Sequence, residues 1–328
     1  MRNVSGVVVL ILVLLGLNGC VAPQVNLFRD GTAPLREFTI QGRGGPKILV
    51  VSIRGVISNE PDEKIFGGAR PSLLQDTVAQ LRRAGDDPNI RALVLKIESP
   101  GGSVTASDIL YHEIVGYKEK TGVPVVAALM DLATSGGYYV ALPADHIVAH
   151  PTTVTGSIGV VFMHPKVGGL MDKLGLGLEV NKSGLNKDMA SPFRESTPAE
   201  RKMLQTLTEE LGQRFMDLVI RHRRLEADHL ADIASARVYL AAQALEYNLV
   251  DQIGYLDAAL AEARKLTGLP EDARVVVYRR TEYADDTLYN TATVHAGGRP
   301  EALVNLGLPR ALMSPPAGFY YLWAPAGL

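Results

Sequence analysis

Only one cysteine, Cys20, occurs among the 328 residues. No disulfide can form within the chain, and no cysteine-based metal site can be built. Neither sign of charge dominates: 33 Lys and Arg stand against 35 Asp and Glu, for a net charge of −2. Such a balance offers no basic field for nucleic acid, and no motif of that kind occurs. The glycine-rich corners are followed by no Gly-Lys-Ser/Thr, and no G-x-G-x-x-G opens a helix, so phosphate loops and dinucleotide fingerprints are excluded. No repeat period is visible, which excludes a solenoid. What remains is ordinary for a globular chain: 47% hydrophobic and 21% charged residues, too apolar for disorder. The length suits one large domain with tails, or two small ones.

The first twenty residues, MRNVSGVVVLILVLLGLNGC, carry Arg2, an apolar stretch from Val7 to Leu17, and small residues before Cys20. The stretch falls short of the ~20 apolar residues of a comfortable membrane span. It reads as an export signal. The LNGC ending resembles a bacterial lipobox, with Cys20 as the lipid attachment site, although Asn18 is unusual there. The alternative is a retained signal-anchor helix. Either places the bulk of the chain in the bacterial cell envelope, outside the inner membrane and attached to a lipid surface.

Residues 21–46 are polar and aperiodic and are expected to form a linker. From Lys47 onward, β-branched runs alternate with amphipathic segments: KILVVSIRGVIS, PSLLQDTVAQLRRAGDD, IRALVLKI, SDILYHEIVGYKEK, VPVVAALM. That alternation predicts βαβ units and a largely parallel sheet. A long helix is expected after Thr197, with Pro198 in its first turn and Glu200 closing a capping box. Two short helices joined at LVDQIG and a final strand, ARVVVYRR, complete a domain over 47–280. Residues 281–328 form a Pro- and Gly-punctuated tail bearing Phe319, Tyr320, Tyr321 and Trp323.

Two corners have the design needed for chemistry. SPGG, with Gly101 and Gly102, follows one buried strand, and TSGG, with Ser135, Gly136 and Gly137, follows the next. Ligands of open parallel sheets gather at the C-terminal edges of strands. Two N–H groups from such turns, aimed at one point, would hold an oxyanion. Taken alone, the corners also suit plain helix starts. A nucleophilic serine needs a base. His146, His150 and His164 lie downstream of Ser135, none in a signature context. Lysine is the alternative: its pKa of ~10.4 must fall by roughly three to act near neutrality, costing about 4 kcal/mol. Burial supplies shifts of that size. Lys182 and Lys187, in VNKSGLNKDMASPFRESTP, are the candidates.

IESPGGSV, TSGGYYVA, TGSIGV, NKDMASPFRESTPAER and ARVYLAAQALEYNLVDQIG occur in this order. Together they resemble the bacterial signal peptide peptidase (protease IV) family in its short, single-repeat form, over about Lys47 to Arg280. The resemblance implies a Clp-protease/crotonase-like α/β fold, a layered βαβ superhelix with parallel sheets. It implies a Ser–Lys dyad without cofactor or metal: Ser135 as nucleophile and Lys187 as general base, with Lys182 outside the matching position. Ser157 would hydrogen-bond the lysine amine, and the N–H groups of Gly136 and Gly102 would form the oxyanion hole, Gly101 being the alternative donor. Arg194 in SPFR is expected to orient substrate or to pin its loop, the structural role being favoured. Family members form ring-shaped homo-oligomers in which neighbouring subunits contribute serine and lysine. The usual anchor there is an uncleaved membrane helix, from which the lipobox departs.

The resulting expectation is a membrane-attached serine endopeptidase that cuts apolar peptides such as released signal peptides, with small side chains accepted at the cut. The rival classes are a crotonase-like acyl-CoA enzyme and a non-catalytic scaffold of the same fold. The apolar tail ending FYYLWAPAGL resembles such a substrate and is expected either to dock on a domain or to occupy a substrate groove in its own ring.

Overall fold

The computed structural model describes residues 33–61, 71–283, 285–290 and 318–323. The export signal and Cys20 lie outside the described residues. At the centre are β2 (Lys47–Arg54), β3 (Ile90–Ser99), β5 (Val125–Thr134) and β6 (His146–Ala149), all parallel. β11 (Arg274–Arg279) adds to β2 in parallel, and β10 (Gln252–Ile253) adds to β6. Off β5, β7 (Val154–Gly156) pairs in parallel and carries β9 (Val238–Leu240) antiparallel. The expected α/β architecture with a largely parallel sheet is therefore present.

The period-two alternation of each central strand sorts its side chains to two covered faces. Ile48, Val50, Ala92, Val94, Val126 and Ala128 meet Leu256, Ala259, Leu260 and Ala263. The alternating set, Leu49, Val51, Leu93, Leu95, Ala127 and Leu129 among them, packs in the larger core with Leu74, Leu110, Ile114, Tyr138 and Tyr139. The helices concerned are α1 (Leu73–Gly85), α2 (Val104–Thr121) and the single turn α3 (Gly136–Tyr139) on one side. On the other lies α8 (Leu256–Thr267), after α4 (Gly168–Lys173), α5 (Pro198–His222), α6 (Ala227–Ala234) and α7 (Ala241–Glu246). Each fully buried Val, Leu or Ile contributes about 1.5–3 kcal/mol, so this two-sided burial dominates the stability.

Local signals set the helix ends. Ser72 and Gln75 form a capping box at the head of α1, and Gly122 ends α2 in the left-handed region at φ 66°. Thr197 and Glu200 form the expected box at the head of α5.

One departure from the sequence reading matters. Residues 36–41, assigned to the linker, form the edge strand β1 (Arg36–Gln41), antiparallel to β11. The described end of the tail docks on the domain, one of the two expectations for it. β12 (Gly318–Leu322) runs antiparallel between β4 (Gly101–Ser103) and β8 (Val161–Met163), making a small second sheet. Among the described residues, no helix is long and apolar enough to cross a membrane.

Candidate active site

Ser135 stands where β5 ends and α3 begins. Its backbone has φ 53° and ψ −117°, a conformation that non-glycine residues rarely adopt. Such a strained strand-to-helix corner lifts a side chain away from its neighbours, as in nucleophile elbows. The residue is 1% exposed, and its hydroxyl has no hydrogen-bond partner among the described residues. A buried hydroxyl without a partner is costly, and it marks a group waiting for one.

The neighbouring strand holds a second serine in the same posture. Thr134 is registered on Gly156, Ser135 N donates to Gly156 O at 2.8 Å, and Ser157 follows at φ 52°. Gly156 itself has φ 88°, and a Cβ there would come 2.6 Å from the Tyr239 ring.

The two glycine corners converge. A Cβ on Gly136 would lie 2.5 Å from Ser107 Oγ and 3.1 Å from both Gly101 Cα and Gly102 N. Only glycine allows that approach. Gly136 opens α3, so its N–H has no intrahelical partner. On β4, Ile57 N donates to Gly101 O at 2.8 Å, and Ser103 N donates to Ile57 O at 3.0 Å. Strand alternation then turns the Gly102 N–H and C=O to the opposite edge. There Tyr321 of β12 is registered against Gly102. A Cβ on Gly101 would collide with the Tyr321 carbonyl oxygen and lie 2.7 Å from Gly136 N. The tail thus lays a backbone carbonyl beside the two glycine corners, one residue from Ser135.

The Tyr321 side chain is buried, stacked on Tyr139 at 4.9 Å and set against Phe215 at 4.8 Å, with its hydroxyl donating to Leu211 O at 3.1 Å. Burial pushes its phenol up to about 12. Two residues earlier, Phe319 packs against Phe162 at 4.6 Å.

Lys187 lies elsewhere, exposed in the segment between α4 and α5, where its backbone N donates to Gly184 O at 3.1 Å. Within one chain it makes no hydrogen bond to Ser135 Oγ. Lys182, the other candidate, bonds Asp188 at 2.8 Å. The segment that carries Lys187 exposes apolar side chains: Leu170, Leu174, Leu176, Leu178, Val180 and Phe193 are exposed, and Leu185 is 82% exposed. No described partner of Ser135 Oγ is a histidine. His150 instead meets Thr152 and the Tyr255 ring, and His164 lies against Phe162.

Two lysines that the sequence reading did not single out are buried: Lys47, ion-paired with Glu37 and Asp87, and Lys96. Lys96 donates to Leu288 O at 3.0 Å, and burial lowers its pKa to about 8. Its place on β3, two residues beyond Val94, puts it on the α8 face, away from α3. Its signal was its position inside an otherwise apolar strand. Among the described residues no acidic, cysteine and histidine cluster suits a metal ion.

Comparison with known proteins adds to this geometry. The signature of Peptidase family S49 matches residues 117–270. The putative signal peptide peptidase SppA of Enterococcus faecium is 33% identical over 269 residues, covering 81% of this chain and 77% of that protein. Protease 4 of Haemophilus influenzae is 33% identical over 269 residues, covering 80% of this chain but 42% of its own length, so this chain spans less than half of it. Among solved structures, a ClpP1 mutant from Listeria monocytogenes is similar with a TM-score of 0.41 and 16% identity, over 64% of this chain and 94% of that one.

Proposed function

The chain belongs to peptidase family S49 and is by that kinship a serine peptidase, and we propose that it cuts extended apolar peptides with a Ser135–Lys187 dyad shared between subunits. Neutral Lys187 of a neighbouring copy takes the Ser135 proton, and the alkoxide attacks the scissile carbonyl. Gly136 and Gly102 N–H groups hold the oxyanion, and collapse of the tetrahedral intermediate expels the amine, which takes the proton from the Lys187 ammonium and leaves that amine neutral again. Water hydrolyses the acyl-enzyme, with Lys187 again as base. Ser157 accepts or donates to the lysine amine and keeps it aimed. No cofactor enters these steps.

The observation that carries this reading is the strand Gly318–Leu322. It is an extended polypeptide paired on both edges, with a backbone carbonyl at the meeting of Gly101, Gly102 and Gly136. A peptide substrate bound by strand addition would take the same path, through main-chain bonds and alternating side-chain pockets. The pocket under Tyr321 favours a large aromatic or apolar residue at that position. The expectation that small side chains are accepted belongs, in this reading, to another position.

Sharing of the dyad is supported by two facts about the single chain: Ser135 is buried with no partner among the described residues, while Lys187 is exposed in a segment with exposed leucines. Exposed apolar patches of that kind mark association surfaces. A ring of copies would bury that segment and dry the amine. Attachment to the bacterial envelope through the N-terminal segment and Cys20 completes the proposal.

A fluorophosphonate probe tests it. The assembled wild-type protein should be labelled, and Ser135→Ala and Lys187→Ala should not. Labelling of Ser135→Ala would remove the nucleophile assignment. Loss of activity in His150→Ala or His164→Ala, with Lys187→Met still active, would replace the dyad by a Ser–His pair.

A further inference from the structure

Arg194 makes more bonds than a loop pin requires. Its Nε donates to Asp188 Oδ2 at 2.9 Å, and Nη2 donates to Asp188 Oδ1 at 2.8 Å and to the Asp188 carbonyl at 3.1 Å. On its other side, Nη1 reaches Glu200 Oε2 at 2.9 Å and Nη2 reaches Glu200 Oε1 at 2.5 Å. Glu200 is buried at the head of α5, where its carboxylate also accepts from Thr197 N at 2.7 Å. One guanidinium therefore ties the residue next to Lys187 to the first turn of a 25-residue helix. Fork-to-carboxylate bonds of this type are the strong and geometrically specific ones.

The remaining charges point the same way. Lys182 Nζ donates to Asp188 Oδ1 at 2.8 Å, so two cations converge on one carboxylate. Lys166, ahead of α4, reaches the carbonyls of Ser191 and Arg194 and the Ser196 hydroxyl, and Arg201 of α5 reaches Ser196 O. Neither touches Asp188. Bonds to Arg194 and then to Lys182 hold the Asp188 carboxyl well below the usual carboxylate range, and Arg194 holds the Glu200 carboxyl low as well. A free carboxylate one residue from an amine favours the ammonium form, the wrong form for a base.

We propose that Arg194 is a positioning residue for the base: it fixes the Lys187 segment on the head of α5 and, with Lys182, keeps the Asp188 carboxylate occupied and off the neighbouring amine. The proposal rests on Lys187 acting as the base. It assigns to Lys182 a supporting part in place of the catalytic one considered from the sequence.

The test is the pH profile of kcat/KM on an apolar fluorogenic peptide, with assembled full-length protein. In Arg194→Gln the acid limb should move to higher pH by about half a unit or more, because Asp188 is left with Lys182 alone. In the double variant Arg194→Gln, Asp188→Asn the limb should return to the wild-type position while kcat stays lowered, since the tether to α5 is still missing. A purely structural arginine would lower kcat in both and leave the limb unmoved, which overturns the proposal. Asp188→Asn alone decides the matter if Arg194→Gln does not assemble. It retains the Arg194–Glu200 pair, and its limb should coincide with wild type. A limb displaced to lower pH would mean that the carboxylate had been acting on the amine all along. Lys187→Met separates the two readings: activity surviving there removes the base assignment itself, whereas an inactive Lys187→Met beside an unmoved limb in Arg194→Gln refutes positioning alone.

Discussion

Ser135 and Ser157 follow directly on a registered pair, Thr134 and Gly156, at the ends of two parallel strands, and both carry φ near +52°. The bond from Ser135 N to Gly156 O locks the two corners in step. Neighbouring parallel strands lie about 4.8 Å apart, so the two corners are adjacent. A left-handed backbone costs a non-glycine residue about 1–3 kcal/mol, and two such residues side by side mark a place where geometry outweighs stability.

Replacing Ser157 separates those two contributions. Ser157→Gly should relieve the backbone and raise thermal stability by up to about 1 kcal/mol. If Ser157 aims the base as proposed, the same change should lower kcat about 10- to 100-fold with KM little altered. Thermal melts and steady-state kinetics on one preparation read both. Unchanged kcat would leave Ser157 as a turn residue only.

The tail strand makes a second prediction. Truncation after Pro309 removes β12, including the buried Tyr321 and its contacts with Tyr139 and Phe215. Turnover of a short apolar peptide should rise several-fold as the groove between β4 and β8 opens. Thermal stability should fall, since removing a buried aromatic ring typically costs about 3–5 kcal/mol. Tyr321→Ala should show both effects more weakly. A lower melting temperature with an unchanged rate would make the strand a docking element with no bearing on access to Ser135.

How far the sequence led depends on whether the decisive interaction was local. Leu93, Val94 and Leu95 lie in a β-branched and leucine-rich run that declares a buried strand by itself, and the Thr197–Glu200 box declares a helix start. Arg36–Gln41 was illegible because an edge strand, with one side of half-exposed residues, carries no strong pattern; its pairing with β11 is set by a partner over 230 residues away. β4 and β8 have three residues each, too few for any period, so the groove that β12 fills exists only in the folded chain. The strained corner at Ser135 was legible through its two glycines. The Arg194 fork was not, since sequence shows a nearby arginine but not that Asp188 and Glu200 both face it.

Burial of Lys96 gives the stability of the fold a pH dependence of known sign. Its folded pKa lies near 8, against an ordinary value of 10.5, with burial as the cause. The unfolded chain therefore binds more protons between those two values, and stability should rise with pH across that window. Below pH 8 the ammonium is carried in both states, and the cost of burying it is fully present. Lys96→Met should melt higher than wild type at pH 7, and the difference should shrink as pH rises from 8 toward 10. A difference that stays constant over that range would show that the Lys96 amine is not the origin of the slope.

The sharpest prediction concerns which copy supplies which half of the dyad. Ser135→Ala and Lys187→Ala should each be inactive as pure proteins. If each site takes its serine from one subunit and its lysine from the next, randomly mixed assemblies contain intact sites wherever a Lys187→Ala copy offers Ser135 to a Ser135→Ala copy's Lys187. In an equal mixture that chance is about one in four per site, the product of two independent halves in a closed heterologous ring. Recovered activity should therefore approach a quarter of wild type after dissociation and reassembly, and should be absent if the two are mixed without exchange. Leu185→Asp, placed on the exposed arm beside Lys187, should abolish both assembly and recovery while leaving the far-ultraviolet spectrum of the chain intact. A dyad closed within one chain predicts no recovery at any ratio, because every copy would lack one half. The exposed position of Lys187 and the unpartnered hydroxyl of Ser135 favour the shared site, and the mixing ratio at which activity peaks reads the answer directly.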